Sequence, residues 1–168
     1  MPDLEWHSTK KFQQELFDGK HPQLEDETDR IFNGPGRIDK FTGLDRSRKQ
    51  IWNTCFWGKV GELFAADMFG GLVLADDHTY IQYGKQNPRF GQVNSNYIDL
   101  IRTATGSYIE VKFWREDLCR DYNSTGWLDL FRSVREGWSA ADYIIILGHK
   151  NSKQKVRFDK TYKTKDMV

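Results

Sequence analysis

Residues 96–114, NYIDLIRTATGSYIEVKFW, form two apolar runs joined by the turn-like segment TATGS. Ile, Val, Tyr and Phe dominate both runs, which is typical of β-strands, and the short polar connection between them predicts a hairpin. Asp99, Glu110 and Lys112 interrupt these runs with charge. Burying a charged side chain is costly, so charges in strands that otherwise suit a protein core indicate a structural or functional role.

Strand periodicity places two of these charges together. Side chains alternate along a strand, so Glu110 and Lys112 point to the same face. A short turn over residues 104–107 would bring Asp99 opposite them on the partner strand. The sequence does not determine the register of this turn, and a slip of one residue would point Asp99 to the other face.

The tripeptide acid-x-Lys is uninformative by itself. The chain contains it twice, about as often as its many acids and lysines produce by chance. The copy at Asp18 and Lys20 lies in a turn-like segment, where polar residues are ordinary. Only the copy at Glu110 and Lys112 lies inside a predicted strand.

A helix is predicted over residues 45–69, where apolar residues recur at spacings of three and four. It carries Glu62 beside Gly58 and Gly61. Glycine within a helix costs about 1 kcal/mol relative to alanine, so a close approach of this helix to the sheet is the expected compensation. The alternative is a helix that restarts after Trp57.

The other predicted elements complete an α/β order. An opening helix is predicted over residues 8–17 with a Ser8 or Thr9 cap, followed by a polar acidic stretch and a loop at 33–37. Strands are predicted at 72–75, 79–83, 96–102, 107–114 and 142–148, with an edge strand at 155–160 and a helix at 127–141. The run at 142–148 is almost wholly apolar, which is typical of a strand buried on both faces. We expect a mixed sheet covered by helices, with an antiparallel hairpin and a last strand that is parallel to its neighbour.

Composition favours one globular domain over residues 1–168. We divide it into an N-terminal extension (1–44), a core that holds Glu62, Asp99, Glu110 and Lys112 and is the expected catalytic core (45–148), and a basic C-terminal segment (149–168). Cys55 and Cys119 are isolated, which favours a reduced, cytoplasmic setting over a disulfide framework or a zinc site. Neither a signal-peptide pattern nor a run of about 18 apolar residues is present, so no membrane partner is expected.

The charged residues suit metal-assisted hydrolysis. Carboxylates that lie close together repel one another, so Asp99 and Glu110 in a partly apolar site would favour a hard divalent ion such as Mg²⁺, with Mn²⁺ as an alternative. Such an ion stabilises negative charge on a phosphate and lowers the pKa of a bound water. Lys112 could orient or deprotonate that water, or stabilise the charged transition state.

Glu62 in a helix, Asp99 in a hairpin and Glu110-Val111-Lys112 on its second strand together resemble the core of the PD-(D/E)XK nuclease superfamily. The resemblance covers residues 58–148 and implies a restriction-endonuclease-like fold with a mixed central sheet. It implies that Asp99 and Glu110 hold Mg²⁺, that the Val111 carbonyl is a further ligand, that Lys112 serves the attacking water and that Glu62 assists. Ile98 stands where the family motif has Pro.

The resemblance also indicates the kind of nuclease. Residues 114–150 contain no Gln, which certain exonuclease branches of the superfamily carry after the Lys strand, so an endonuclease is expected. DNA is the expected partner. A homodimer is also expected, because each chain has one site and two sites are needed to cut the two strands of a duplex. The expected host is a bacterial, archaeal or phage-infected cell.

Basic residues after the motif are candidate DNA contacts. They are Arg115, Arg120, Lys150, Lys153, Lys155 and Arg157. Trp114 and Trp127 could line a DNA groove or belong to the core. His78 and His149 are expected at the surface.

A second function fits the same residues. A non-catalytic nucleic-acid-binding or assembly protein could retain the fold and use the charged strand face to contact phosphate or a partner. A surface explanation also stays open, because one-sided antiparallel sheets commonly carry charges on their solvent face.

Overall fold

A six-stranded mixed sheet with helices on both faces organises the computed structural model, which describes residues 5–84 and 98–167. The strands are β1 (His7–Ser8), β2 (Leu72–Leu74), β3 (Leu100–Arg102), β4 (Tyr108–Arg115), β5 (Tyr143–Lys150) and β6 (Lys155–Lys163). The helices are α1 (Lys10–Phe17), α2 (Gln23–Phe32), α3 (Arg48–Phe69), α4 (Asp77–Tyr83) and α5 (Thr125–Arg135). The sheet order is β1-β6-β5-β4-β3-β2. The predicted mixed α/β architecture is therefore confirmed.

Strand β5 lies beside β4 in the parallel direction, and every other neighbouring pair is antiparallel. Helix α5 makes the crossover between these two parallel strands. Ile145 and Leu147 pack into one core cluster, whereas Ile144 and Ile146 pack into another. The predictions of a strand buried on both faces and parallel to its neighbour are both confirmed.

Helix α3 begins with a capping box, in which Ser47 accepts from the Gln50 backbone N–H and the Gln50 side chain accepts from the Ser47 N–H. The helix is continuous to Phe69, so the alternative of a restart after Trp57 is wrong. A Cβ added at Gly61 would lie 3.1 Å from the Phe113 Cβ of strand β4. This glycine provides the predicted close approach between helix and sheet, which brings α3 against β4.

The sheet separates two main core clusters. Ile109, Val111 and Phe113 of β4 face α3, whereas Trp114 packs with Trp127 of α5 on the other side. Trp127 is fully buried, so its place is the core and the groove-lining alternative for it is wrong. Alternation along β4 therefore separates a side that packs on α3 from the side that carries Glu110 and Lys112.

Several predicted elements differ from the structure. Residues 79–83 form part of α4 and not a strand, because Asp76 and Thr79 cap a helix there. The acidic stretch after α1 is a helix, α2, and residues 35–37 of the predicted loop form a 3-10 turn. Thr9 precedes α1 without capping it through its side chain.

Strand β6 is longer than predicted and is not the edge, because the two-residue β1 pairs with its outer side. Strand β3 begins at Leu100, later than predicted, and helix α5 ends at Arg135, earlier than predicted. Residues 96 and 97 of the predicted hairpin lie outside the described residues. None of the helices in the described part of the chain combines the length and apolarity needed to cross a bilayer.

Candidate active site

The hairpin holds Asp99 against strand β4, within electrostatic reach of Glu110. The paired register ends with Leu100 opposite Ile109, directly before Asp99. The Asp99 N–H donates to the Ile109 carbonyl over 3.3 Å. The sequence left this register open, and the structure adopts the alternative in which the three hairpin charges converge.

Asp99 sits where strands β3 and β4 separate, just before β3 begins. Its Oδ2 accepts a hydrogen bond of 2.8 Å from the Val111 N–H. The carboxylate thus satisfies a strand N–H that would otherwise donate to the backbone carbonyl of a neighbouring strand. This bond fixes Asp99 against the strand that carries Glu110 and Lys112.

Glu110 and Lys112 form an ion pair on the β4 face that is directed away from α3. Their side chains are partly exposed, and Lys112 Nζ lies 2.9 Å from Glu110 Oε1. The hydroxyl of Ser139, just after α5, donates to Glu110 Oε2 over 3.3 Å. Burial alone would lower the pKa of Lys112, but the Glu110 carboxylate outweighs burial and the pKa is raised. Lys112 is therefore a cation at neutral pH.

Glu62 projects from α3 and is almost fully buried. Lys59 Nζ lies 3.1 Å from Glu62 Oε1 and 2.6 Å from Glu27 Oε2 of α2. Burial raises the pKa of the Glu62 carboxyl well above its usual range, and the Lys59 ammonium opposes that shift. The Lys59 pKa is also raised, since attraction to the two glutamates outweighs the effect of its burial. Lys59 thus forms ion pairs with both Glu27 of α2 and the predicted site residue Glu62 of α3.

Asp99 is the electrostatic link between these two ion pairs. Its pKa rises to about 6, first because of burial and second because of repulsion from Glu110. Lys59 and Lys112 both act to lower it, and the negative charge of Asp99 in turn contributes to the raised pKa of Glu62. The four predicted catalytic residues therefore act on one another through Asp99, with three of them on the hairpin and Glu62 on α3.

Three residues that contact this site were not predicted from the sequence. Lys59 lies three residues before Glu62, a spacing that puts both on one helix face, but a lysine in a helix more often marks a solvated face. Glu27 lies in the acidic stretch that was not recognised as a helix. Ser139 follows the end of α5, and its sequence context carries no signal.

The donor set fits a hard divalent ion through two carboxylates. Among residues 5–84 and 98–167, no three His, Cys, Asp or Glu side chains are grouped so that they could hold a metal ion. Magnesium commonly uses only one or two protein carboxylates and keeps several waters. Asp99 and Glu110 supply two such oxygens at a place where their mutual repulsion favours a cation. Glu62 is buried and paired with Lys59, which it shares with Glu27, and this makes it an indirect contributor.

Three of the predicted DNA contacts lie where β5 turns into β6, and each approaches a protein aromatic ring. The Lys150 Nζ and the Arg157 Cζ lie 4.3 Å and 4.6 Å from the centre of the Trp6 ring. The Lys153 Nζ lies 5.7 Å from the centre of the Trp57 ring. Cation–π contacts of this kind hold the basic side chains at one end of the sheet.

The other three basic candidates are spread around that end. Lys155 pairs with Lys150 in the β5–β6 register. Arg115, at the end of β4, contacts Asp117 at 3.2 Å. Arg120 contacts Asp159 at 3.4 Å. Both arginines therefore already have an acidic neighbour.

The two histidines differ in environment. His78 is exposed, as predicted. His149 is buried against Phe113 with ring centres 4.8 Å apart, so its predicted surface position is wrong. Burial first, and then nearby Lys153 and Arg115, lower the His149 pKa to about 4, which keeps the ring neutral at pH 7. It is a core residue of the parallel strand pair.

Comparisons of the chain with protein-family models, with curated proteins and with solved structures found no match. The functional conclusion therefore depends on the arrangement of the chain's own residues.

Proposed function

We propose that the chain is a Mg²⁺-dependent DNA endonuclease of the PD-(D/E)XK type, with a restriction-endonuclease-like fold. The observation that carries the proposal is the position of Asp99, which is fixed by the Val111 N–H and lies close enough to Glu110 for that carboxylate to raise its pKa. Lys112 contacts Glu110 on the same strand. Two carboxylates and a lysine at the divergence of two strands form a set suited to phosphodiester hydrolysis.

The order of elements supports the proposed fold. Helix α3 with Glu62 precedes the antiparallel β3–β4 hairpin, and α5 then leads to β5, which is parallel to β4. This is the arrangement on which the family resemblance rests. The Gly61 contact with Phe113 supplies the close packing of α3 on β4.

Asp99, Glu110 and the Val111 carbonyl would hold Mg²⁺, which when bound stabilises charge on the phosphate and lowers the pKa of a water. Lys112 places its ammonium where it can orient that water or stabilise the charged transition state. Ser139 and Lys112 together fix the Glu110 carboxylate. Lys59 fixes the Glu62 carboxylate and compensates its buried charge.

We further propose the partners and setting. The basic end formed by β5 and β6 would contact phosphates beyond the cleavage point, and a homodimer would place two sites on the two strands of DNA. Cys55 and Cys119 are both free and buried, which supports a reducing, cytoplasmic setting.

One observation favours the non-catalytic alternative. Lys59 and Lys112 already compensate Glu62 and Glu110. Such pairs could keep the face stable in a protein that only binds nucleic acid or a partner. The alternative predicts binding without any cleavage.

Cleavage assays distinguish the nuclease from the non-catalytic alternative. The wild-type chain, Lys112→Ala and Asp99→Ala are incubated with duplex, single-stranded and branched DNA in Mg²⁺ or Mn²⁺. Exposed Lys49 of α3 provides a matched control, Lys49→Ala. We expect cleavage by wild type and control, and a loss of roughly 10²- to 10³-fold in Lys112→Ala, the usual range for removing one group that stabilises the charge of the transition state. No cleavage of any DNA form by the wild type would refute the nuclease proposal.

A further inference from the structure

Two highly exposed aromatic rings each lie near a cation that contacts Asp129. The Phe41 residue is 67% exposed and Trp138 is 56% exposed. Phe41 lies in the segment before α3, and Trp138 follows α5. Together with Lys40, Arg132 and Asp129 they are named the aromatic rim.

Asp129 holds the cations of the rim. Lys40 Nζ lies 2.5 Å from its Oδ2, and Arg132 Nη2 lies 3.4 Å from its Oδ1. The hydrogen bond from Lys40 lowers the pKa of the Asp129 carboxyl, so it is ionised at neutral pH. Two cations against one carboxylate leave the rim with a net positive charge.

Each cation also approaches one exposed ring. Lys40 Nζ lies 5.0 Å from the centre of the Phe41 ring, and Arg132 Cζ lies 5.5 Å from the centre of the Trp138 ring. An exposed ring with a cation beside it suits a ligand that has both a flat π-face and negative charge.

The rim is connected with the candidate site by one neighbour along the chain and by one charge–charge interaction. Trp138 immediately precedes Ser139, whose hydroxyl donates to Glu110 over 3.3 Å. Asp129 is among the charges that act on Lys112. A strand with a phosphate near Lys112 would therefore have its neighbouring bases near the rim.

We propose that the aromatic rim stacks unpaired nucleobases next to the cleaved bond, so that the preferred substrate is single-stranded or branched nucleic acid. This inference rests on the proposed nuclease function. In a duplex the base faces are covered by their neighbours, and only an unpaired or splayed base can stack on a protein ring. The cations of the rim then meet the phosphates on either side of that base.

Binding assays without cleavage test the rim. Fluorescence anisotropy in chelator measures the affinity for a single strand, a blunt duplex and a duplex with a single-stranded flap. Phe41→Ala and Trp138→Ala should weaken binding to the single strand and the flap by roughly 5- to 150-fold, and leave duplex binding unchanged. Trp138→Phe, which keeps a ring, should retain most of the affinity.

The control is Ile81→Ala in α4, which removes an apolar side chain that is 81% exposed. It should bind all three oligonucleotides as the wild type does. Thermal melts confirm that each variant is folded.

Three outcomes would overturn the inference, and they differ in what they say of the nuclease proposal. If the wild type binds none of the oligonucleotides, both proposals fail. If the wild type binds the flap substrate and the rim variants bind that substrate equally well, only the rim inference fails. If light scattering shows that the rim variants turn a dimer into a monomer with unchanged affinity, the rim is an interface between copies.

Discussion

Replacing Asp99 by Asn should make the protein more stable at pH 8, although the change removes a proposed metal ligand. The Asp99 pKa is about 6 in the folded chain, against an ordinary value of 3.8. The native state therefore holds the proton more tightly than the unfolded state does. The stability that Asp99 contributes is fully present below its unfolded pKa and is lost as the pH rises through about 6.

The magnitude follows from the shift. A difference of about two pKa units corresponds to about 3 kcal/mol between acid and alkaline conditions. Asn stays neutral, and its side-chain carbonyl can still accept from the Val111 N–H. Asp99→Asn should therefore match the wild type near pH 4 and exceed it by up to about 3 kcal/mol at pH 8, a rise in Tm on the order of 5–10 °C.

Urea unfolding at pH 4, 6 and 8, followed by tryptophan fluorescence in chelator, measures this difference. Asp67→Asn is the matched control, because Asp67 forms an exposed ion pair with Lys11 at 3.5 Å. Its effect should stay below about 1 kcal/mol at each pH. An Asp99→Asn variant that is less stable than the wild type at pH 8, or whose gain does not change with pH, would refute the charge arrangement described for the site.

Two further substitutions test the helix that supports the site. Lys59→Met leaves buried Glu62 without its cation and should destabilise the chain by about 3–5 kcal/mol at pH 8, and by less at pH 5, in urea unfolding. Gly61→Ala places a Cβ 3.1 Å from the Phe113 Cβ and should cost about 1–3 kcal/mol and lower any cleavage activity, as thermal melts and turnover assays would show.

Each of these substitutions has a control on the same protein. Lys11→Met removes only the exposed pair with Asp67 and should change stability by less than about 1 kcal/mol. A Cβ at Gly58 would meet only the Glu62 Oε2 at 3.8 Å, which is ordinary contact, so Gly58→Ala should stabilise α3 by up to about 1 kcal/mol. Equal effects at both glycines, or at both lysines, would contradict the packing and the ion pairs described here.

Sequence periodicity predicted an element correctly where the burial of its side chains follows a regular pattern. Strand β5 is apolar on both faces, and its pattern predicted both its burial and its parallel neighbour. The repeat of α3 located that helix to within three residues at its start. The glycine at 61 predicted a close approach of helix and sheet because an unexplained helix glycine needs such a reason.

Periodicity failed where local capping or distant contacts decide the structure. Thr79, Tyr80 and Ile81 have strand propensity, but the reciprocal Asp76 and Thr79 bonds start a helix there. Helix α2 has too few apolar residues to show a clear stripe, and it is joined to α3 through Lys59. The hairpin register depends on the turn and on packing around Asp99, so no count of residues could select it.

The charges of the site favour a function over a purely structural role. Lys112 pairs with Glu110, and Lys59 is shared by Glu27 and Glu62, whereas Asp99 has no ion pair with any residue of the described ranges 5–84 and 98–167. Within that part of the chain, the Asp99 carboxylate accepts a hydrogen bond from the Val111 N–H, and burial and repulsion from Glu110 still raise its pKa to about 6. A neutral Asn would make the same backbone contact at a lower cost in stability. We infer that an aspartate predicted to weaken the fold at neutral pH serves a cation or a phosphate-bearing ligand that needs its charge.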